Sequence, residues 1–277
     1  MSYTQKPLEN LNVLDDFLMN AITSTPEIGE AFCRIVLPVL LQKKLGRIKV
    51  ISQRTVSPHA PDLRGIRMDV EVEEFEENNE IPVSIYDLEP NLRKELHLPR
   101  HNRFYQARID GRSLKSGEED FRKLPNLYIL TITDYDPFGY DYMLYRIRNQ
   151  CDEIEGLEYD DGLEFLYFYT KGSKGGNQSI KALLQYIESS TPDNVVDDTT
   201  QRLHQIVEQI TIRKGEHDLM TLGYVIDYEA KKAVKETLVD NINNMMKNLQ
   251  MDLETACNAL EITVEDYHQA KEFVSRL

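Results

Sequence analysis

Cysteine is nearly absent. Cys33, Cys151 and Cys257 are odd in number and far apart, which excludes a disulfide framework and zinc-ligand spacing. No run approaches the ~18 apolar residues of a membrane span. The opening MSYTQKPLENLNVLDDFL lacks a basic segment followed by an apolar one, so no signal peptide is expected. Together these absences predict a cytoplasmic protein with no membrane partner. KGSKGG follows a candidate strand and precedes a candidate helix, but lacks the G-x-x-x-x-G-K-[ST] pattern, so no nucleotide cofactor is expected. Of the six histidines only His97 and His101 stand at H-x-x-x-H spacing, and no cysteine lies at a matching position. Serine or cysteine nucleophile chemistry has no recognisable elbow or partner.

One further absence is local. Residues 68–91 contain nine acids and no Lys or Arg, whereas 42–67 carry seven bases against one acid and 92–123 nine against five. The net charge of −15 would repel nucleic acid if it were spread evenly, and it is not. An acidic strand pair therefore lies between two basic stretches. Bound metal ions would neutralise such a pair, although composition alone does not demand them. Most of the acids sit in EVEEFEENNE, which reads as a solvated hairpin tip.

The apolar spacing predicts helices over Leu14–Ile22 and Pro26–Leu45, with Pro26 at a first helical position. A strand is expected over Gly46–Val56. The proline-bearing loop SPHAPDLRG follows, then the strands IRMDVEVEEF and IPVSIYDLEP as a hairpin closed by EENNE. A helix over Arg100–Ser116, the strands LYILTIT and GLEFLYFYT, and the helix NQSIKALLQYIESS complete an α/β mixed sheet flanked by helices. Beyond the polar break TPDNVVDD everything reads as helix: Gln201–Lys214, Leu219–Leu249, Asp252–Leu260 and Val264–Leu277. The expected division is 1–192 and 193–277. The last helical pair has a helix-turn-helix outline, but its second helix is net acidic and reads as a plain hairpin.

Within IYDLEPN, strand alternation sends Ile85, Asp87, Glu89 and Asn91 to one face. If the hairpin opposes residues whose numbers sum to 156 or 158, Asp69 lies beside Asp87 or Glu89. A two-residue turn at Asn78-Asn79 would instead give 157 and separate the faces. Converged carboxylates repel unless neutralised, and Mg²⁺ suits hard oxygen ligands.

The ordered segments GIRMDV, IYDLEPN, LPRHNRFYQARIDGRSLKSGEEDFRKLPNLYILTITDYDPFG, LEYDDG and LYFYTKGSKGG, with LNVLDDFLMNAI upstream, resemble the PD-(D/E)XK nuclease family transposases. These are relatives of the recombination-promoting nucleases in the restriction-endonuclease-like superfamily, and the resemblance runs to about Ile187. It implies a sheet that cuts DNA with a metal-activated water, using Mg²⁺ or Mn²⁺. Asp69 and Glu89 would be the metal ligands and Asn91 the third catalytic element. The superfamily usually has lysine there, and its transposase-like branch often glutamine. Asn91 leaves three outcomes: it positions the water weakly, a neighbouring cation such as Lys94 substitutes, or the chain is inactive and serves as a DNA-binding or protein-interaction module. RHNRFYQAR sets Arg100, Arg103 and Gln106 at helical spacing, either as a DNA-contacting helix or as a solvated one. Asp62 matches a family acid but reads as a loop cap before it reads as a ligand. Asp15 and Asp16 lie on the opening helix, and Asp87 reads as an outer-shell acid, as a third carboxylate of the site, or as a residue serving solubility. Paired nicks need two sites, so a homodimer would suit the nuclease.

Overall fold

The structure, a computed structural model, describes residues 11–56, 65–114, 116–215, 238–239, 241–248, 251–260, 262–264, 267–268 and 270–271. Helices α1 (Asp16–Thr23) and α2 (Pro26–Leu41) open it. Pro26 starts α2 where the missing N–H would have had no partner. The sequence predicts α2 running on to Leu45. It stops at Leu41 because Gln42 adopts the left-handed conformation at φ 56°. The turn brings the Lys43 ammonium over the Tyr128 and Tyr86 rings, 4.7 and 5.0 Å from their centroids, and within 3.7 Å of Glu74.

Eight strands follow: β1 (Arg47–Ser52), β2 (Thr55–Val56), β3 (Ile66–Arg67), β4 (Val70–Phe75), β5 (Ser84–Asn91), β6 (Asn126–Thr133), β7 (Leu144–Ile147) and β8 (Leu163–Tyr169). Six of them form one mixed sheet in the order β1-β4-β5-β6-β8-β7, with β5, β6 and β8 parallel and the remaining pairs antiparallel. Helix α3 (Leu98–Ser113) links β5 to β6, and α4 (Gln178–Glu188) and α5 (Asp198–Gly215) follow β8. The expected α/β architecture is present, with further helix in the C-terminal region.

Alternation along the strands divides the interior. Val70, Val72, Tyr86, Leu88 and Ile132 enter a large core with Phe32 and Leu37 of α2 and Leu183 of α4. Ile85 and Ile129 point the other way, onto Ile109 of α3. Edge strand β7 escapes the sequence reading because LYRI is short and its last two residues are exposed, so it shows no alternation.

The single strand predicted over Gly46–Val56 is interrupted. Gln53 takes φ 50°, and β2 pairs with β3 as a separate ribbon. The pairing keeps one register through the break: Ser52 opposes Val70, then Thr55 opposes Arg67.

The chain divides into two compact units, Met1–Thr211 and Ile212–Leu277, later than the polar break near Asp193. The reason lies in α5, whose Leu203, Ile206, Val207 and Ile210 belong to the large core. In the second unit, Val239, Ile242, Ala256, Cys257 and Tyr267 cluster around α6 (Leu253–Ala259). Asp252 caps that helix by accepting from the Thr255 N–H at 2.7 Å. Most of the predicted helix Leu219–Leu249 and much of Val264–Leu277 lie outside the described residues. No helix among the described residues is long and apolar enough to cross a membrane.

A glycine holds the left-handed conformation without the penalty that Gln42 bears. Gln42→Gly should therefore raise stability by about 0.5–1 kcal/mol, read as a higher urea midpoint. A lower midpoint would show that the Gln42 side chain contributes more than its backbone strain costs.

Candidate metal centre

Asp87 and Glu89 lie on the α3 side of β5, sharing the face of Ile85, while Tyr86 and Leu88 fill the opposite core. In β4, Val70 opposes Leu88 and Glu71 opposes Asp87. One further step in this register sets Asp69 opposite Glu89. The hairpin is closed by residues 75–83, an odd number, with Asn78 at φ 63° inside that loop. The tight Asn78-Asn79 turn is not used, and the two acids meet.

They do not meet as ordinary ladder partners. Met68 packs with Ile85 and Ile109, whereas Val70 packs into the other core. Residues two apart in a regular strand share a face, so the chain rolls over at Asp69. Gln53, with its left-handed backbone, sits opposite and donates its N–H to the Asp69 carbonyl at 2.9 Å. The β4–β5 ladder ends at Val70. The Asp69 N–H beyond it is taken up by the Glu89 side chain, donating to Oε1 at 3.0 Å.

Asp87 is fully buried, and neither of its carboxylate oxygens meets a hydrogen-bond donor among the described residues. Its polar neighbour is the Glu89 carboxyl. Two such groups cannot both stay ionised side by side in a dry interior unless a proton or a cation joins them. Burial pushes Asp87 up to about 8, with Glu71 and Asp69 adding repulsion. Burial likewise raises Glu89 well above the usual carboxylate range, reinforced by Asp87 and Asp69. Asp69 is pushed up to about 6 by burial and by Asp16, against the opposing pull of Arg67.

Glu71, directly across from Asp87, has what Asp87 lacks. Arg54 Nη1 reaches its Oε1 at 2.8 Å, and Arg112 of α3 pairs with its Oε2. Arg54 also bonds Glu73 at 2.9 Å. The reading of EVEEFEENNE as a solvated tip is therefore corrected for its first half. Glu71 is fully buried, and Glu74 is nearly so, accepting from the Gly46 N–H at 2.7 Å and from the Tyr86 hydroxyl. β4 is an internal strand of the sheet, which a charge run by itself does not reveal.

The remaining predicted residues spread outward. Asn91 ends β5, and its Oδ1 accepts from the Tyr135 hydroxyl and the Arg93 N–H, each at 3.2 Å, while Nδ2 reaches Glu95 at 3.4 Å. Its amide is thus engaged with a neighbouring loop. Arg100 and Arg103 are exposed on α3 without an ion pair among the described residues, and Lys94 is exposed as well. Gln106 donates to Asp110 at 2.5 Å, which directs its amide along the helix. α3 is anchored by Asn102, donating at 2.9 Å to Thr131, the β6 partner of Glu89. Asp15 accepts from the Asn12 N–H at 2.8 Å, and Asp62 lies outside the described residues.

Sequence reasoning let Asp69 and Glu89 meet only if the hairpin loop was odd or bulged, and missed Glu71, Arg54 and Arg112 as their neighbours. Helical spacing from buried Ile109 was the available signal for Arg112. A cleft of about 290 Å³ opens beside Asp69, between α1 and the Gln53–Arg67 side of the kink. Among the described residues no group of three or more His, Cys, Asp or Glu side chains is arranged to hold a metal ion. No family model, no curated protein and no solved structure matches the chain.

The raised acids fix the sign of the pH dependence. Between about 4, where they titrate when unfolded, and their raised values of about 6 and about 8, the folded chain keeps protons on Asp69 and Asp87 that the unfolded chain has lost. Stability from these groups is full below that window and declines as pH rises through it. Without divalent ions the urea midpoint should fall between pH 5 and pH 8, and Asp87→Asn should flatten the decline. A midpoint that rises across this range in the parent chain would contradict the assignment.

Proposed function

We propose that this chain is a metal-dependent DNA endonuclease acting in the cytoplasm, with Asp69 and Glu89 as ligands of one divalent cation, Mg²⁺ or Mn²⁺. The observation that carries the reading is the fully buried Asp87 carboxylate, undonated at both oxygens, beside Glu89, which itself holds the Asp69 N–H. Hard oxygens without donors are the donor set a hard cation takes, and Mg²⁺ keeps several waters, so two protein carboxylates are enough to hold it. Bound there, such an ion would supply a water of lowered pKa and draw charge from a phosphate oxygen.

The chain's own groups complete the arrangement. Asp87 would lie behind Glu89 as a second negative charge favouring cation over proton. Arg54 and Arg112 neutralise Glu71 and keep the repulsion from spreading through the sheet. Exposed Arg100 and Arg103 on α3 would meet the phosphate backbone. The resemblance to PD-(D/E)XK nuclease family transposases, in GIRMDV and IYDLEPN above all, supports the same assignment and a link to transposition or recombination.

One observation favours a second reading, a catalytically inactive DNA-binding or protein-interaction module. The Asn91 amide is committed to Tyr135, Arg93 and Glu95, so the element that would orient the water is occupied elsewhere. Calorimetry separates the two: the nuclease binds Mg²⁺ or Mn²⁺ and the module binds neither.

Nicking of supercoiled plasmid in Mg²⁺ or Mn²⁺ tests the leading reading. Asp69→Ala and Glu89→Ala should each lower the rate about a hundredfold or more, since a metal contributes several kcal/mol to the barrier. Equal rates in both variants and the parent would remove these residues from the site.

A further inference from the structure

The cleft beside Asp69 has the chemistry of a single nucleobase. Its two buried lining residues, Met19 of α1 and Pro90 of β5, are apolar. Two primary amides flank them. Asn20 shares a face of α1 with Asp16, and Gln53 comes from the kink. The oxygens of both amides are already used: Asn20 Oδ1 accepts from Ser24 Oγ at 2.9 Å, and Gln53 Oε1 accepts from Arg67. Their NH₂ groups have no partner among the described residues. Gln53 moreover holds a left-handed backbone at φ 50°, a conformation glycine would adopt without strain. Backbone strain of this kind gathers at working sites.

A base has apolar faces and an edge of donors and acceptors, and Asn and Gln amides are the side chains that match such edges. The volume, about 290 Å³, falls just below the ~300–1,000 Å³ of pockets for drug-sized ligands. It is of a size for one base, and the Asn20 and Gln53 amides would reach the edge that pairing in a duplex would otherwise occupy. The carboxylates of Asp16 and Asp69 would repel a bare phosphate, and Arg67 is the only lining cation.

We propose that this cleft is the subsite for one unpaired nucleotide, so that the chain acts on single-stranded or locally melted nucleic acid. The base lies between Met19 and Pro90 with Asn20 and Gln53 at its edge, and Arg67 holds a flanking phosphate. The proposal rests on reading Asp69 and Glu89 as a phosphodiester-cleaving centre and adds its substrate class.

Binding is measured first, by fluorescence anisotropy in Ca²⁺ on the full chain, with a single-stranded oligonucleotide, its perfect duplex, and that duplex carrying an unpaired bulge. Cleavage of the same three substrates in Mg²⁺ follows. The single strand and the bulge should bind about tenfold more tightly than the duplex, the equivalent of one or two hydrogen bonds. Asn20→Ala and Gln53→Gly should each remove most of that preference. Gln53→Gly relieves the strained backbone, so a denaturation midpoint at or above that of the parent guards against misfolding as the cause. Glu89→Ala should abolish cleavage and keep the preference. Equal binding of the perfect duplex overturns the proposal, as does a preference that survives in the Asn20→Ala, Gln53→Gly double variant. Preference without cleavage in the parent chain would remove the nuclease reading and leave the nucleotide subsite standing; cleavage without preference would do the reverse.

Discussion

Two neighbouring buried carboxyl groups, Asp87 with no donor and Glu89 with the Asp69 N–H alone, set the terms for everything around them. Each would be ionised in water, and the two cannot both be so here unless positive charge arrives. The sheet is not short of cations nearby. Arg54 and Arg112 converge on Glu71, one strand away, and leave Asp87 unpaired. A fold selected only for stability would gain by replacing Asp87 with an apolar residue, since an unmatched buried charge is among the costlier things a core can hold. Its presence at the centre of the sheet is what supports the proposed ion.

The kink at Asp69 follows from the same demand. A regular β4–β5 ladder would pair the Asp69 backbone with β5 and leave the Glu89 carboxylate without its donor. By rolling over between Met68 and Val70, the chain offers the Asp69 N–H to Glu89 and places Asp69 beside the cleft at once. Gln53 on the facing strand absorbs the matching distortion, and the pairing resumes in register beyond it. Local strain and site geometry therefore have one cause.

Much of this was legible in the sequence, and what was not has identifiable reasons. The alternation of IYDLEPN announced a strand with an apolar face and an acid face, and β5 is that strand. The meeting of Asp69 with Glu89 depended on the parity of the hairpin loop, which composition does not give; Asn78-Asn79 suggested the opposite parity. Glu71 was hidden because three of four residues in its neighbourhood are acids, and acids in a run look solvated until the strand is known to be internal. Asn91 was placed correctly on its strand, but the Tyr135 hydroxyl that occupies its amide comes from a loop 44 positions away. The end of the first unit was set by the apolar face of α5, which outweighs the polar break before it.

Pro90 stands where β5 has lost its β4 neighbour and keeps only β6 beside it. A strand left open on one side ordinarily invites a foreign strand to zip on, the route to unwanted polymerisation. Proline carries no amide hydrogen, so this opening offers an incoming backbone too little to grip. The gap beside the acids is thus poorly suited to strand addition, and contacts made there would come from side chains.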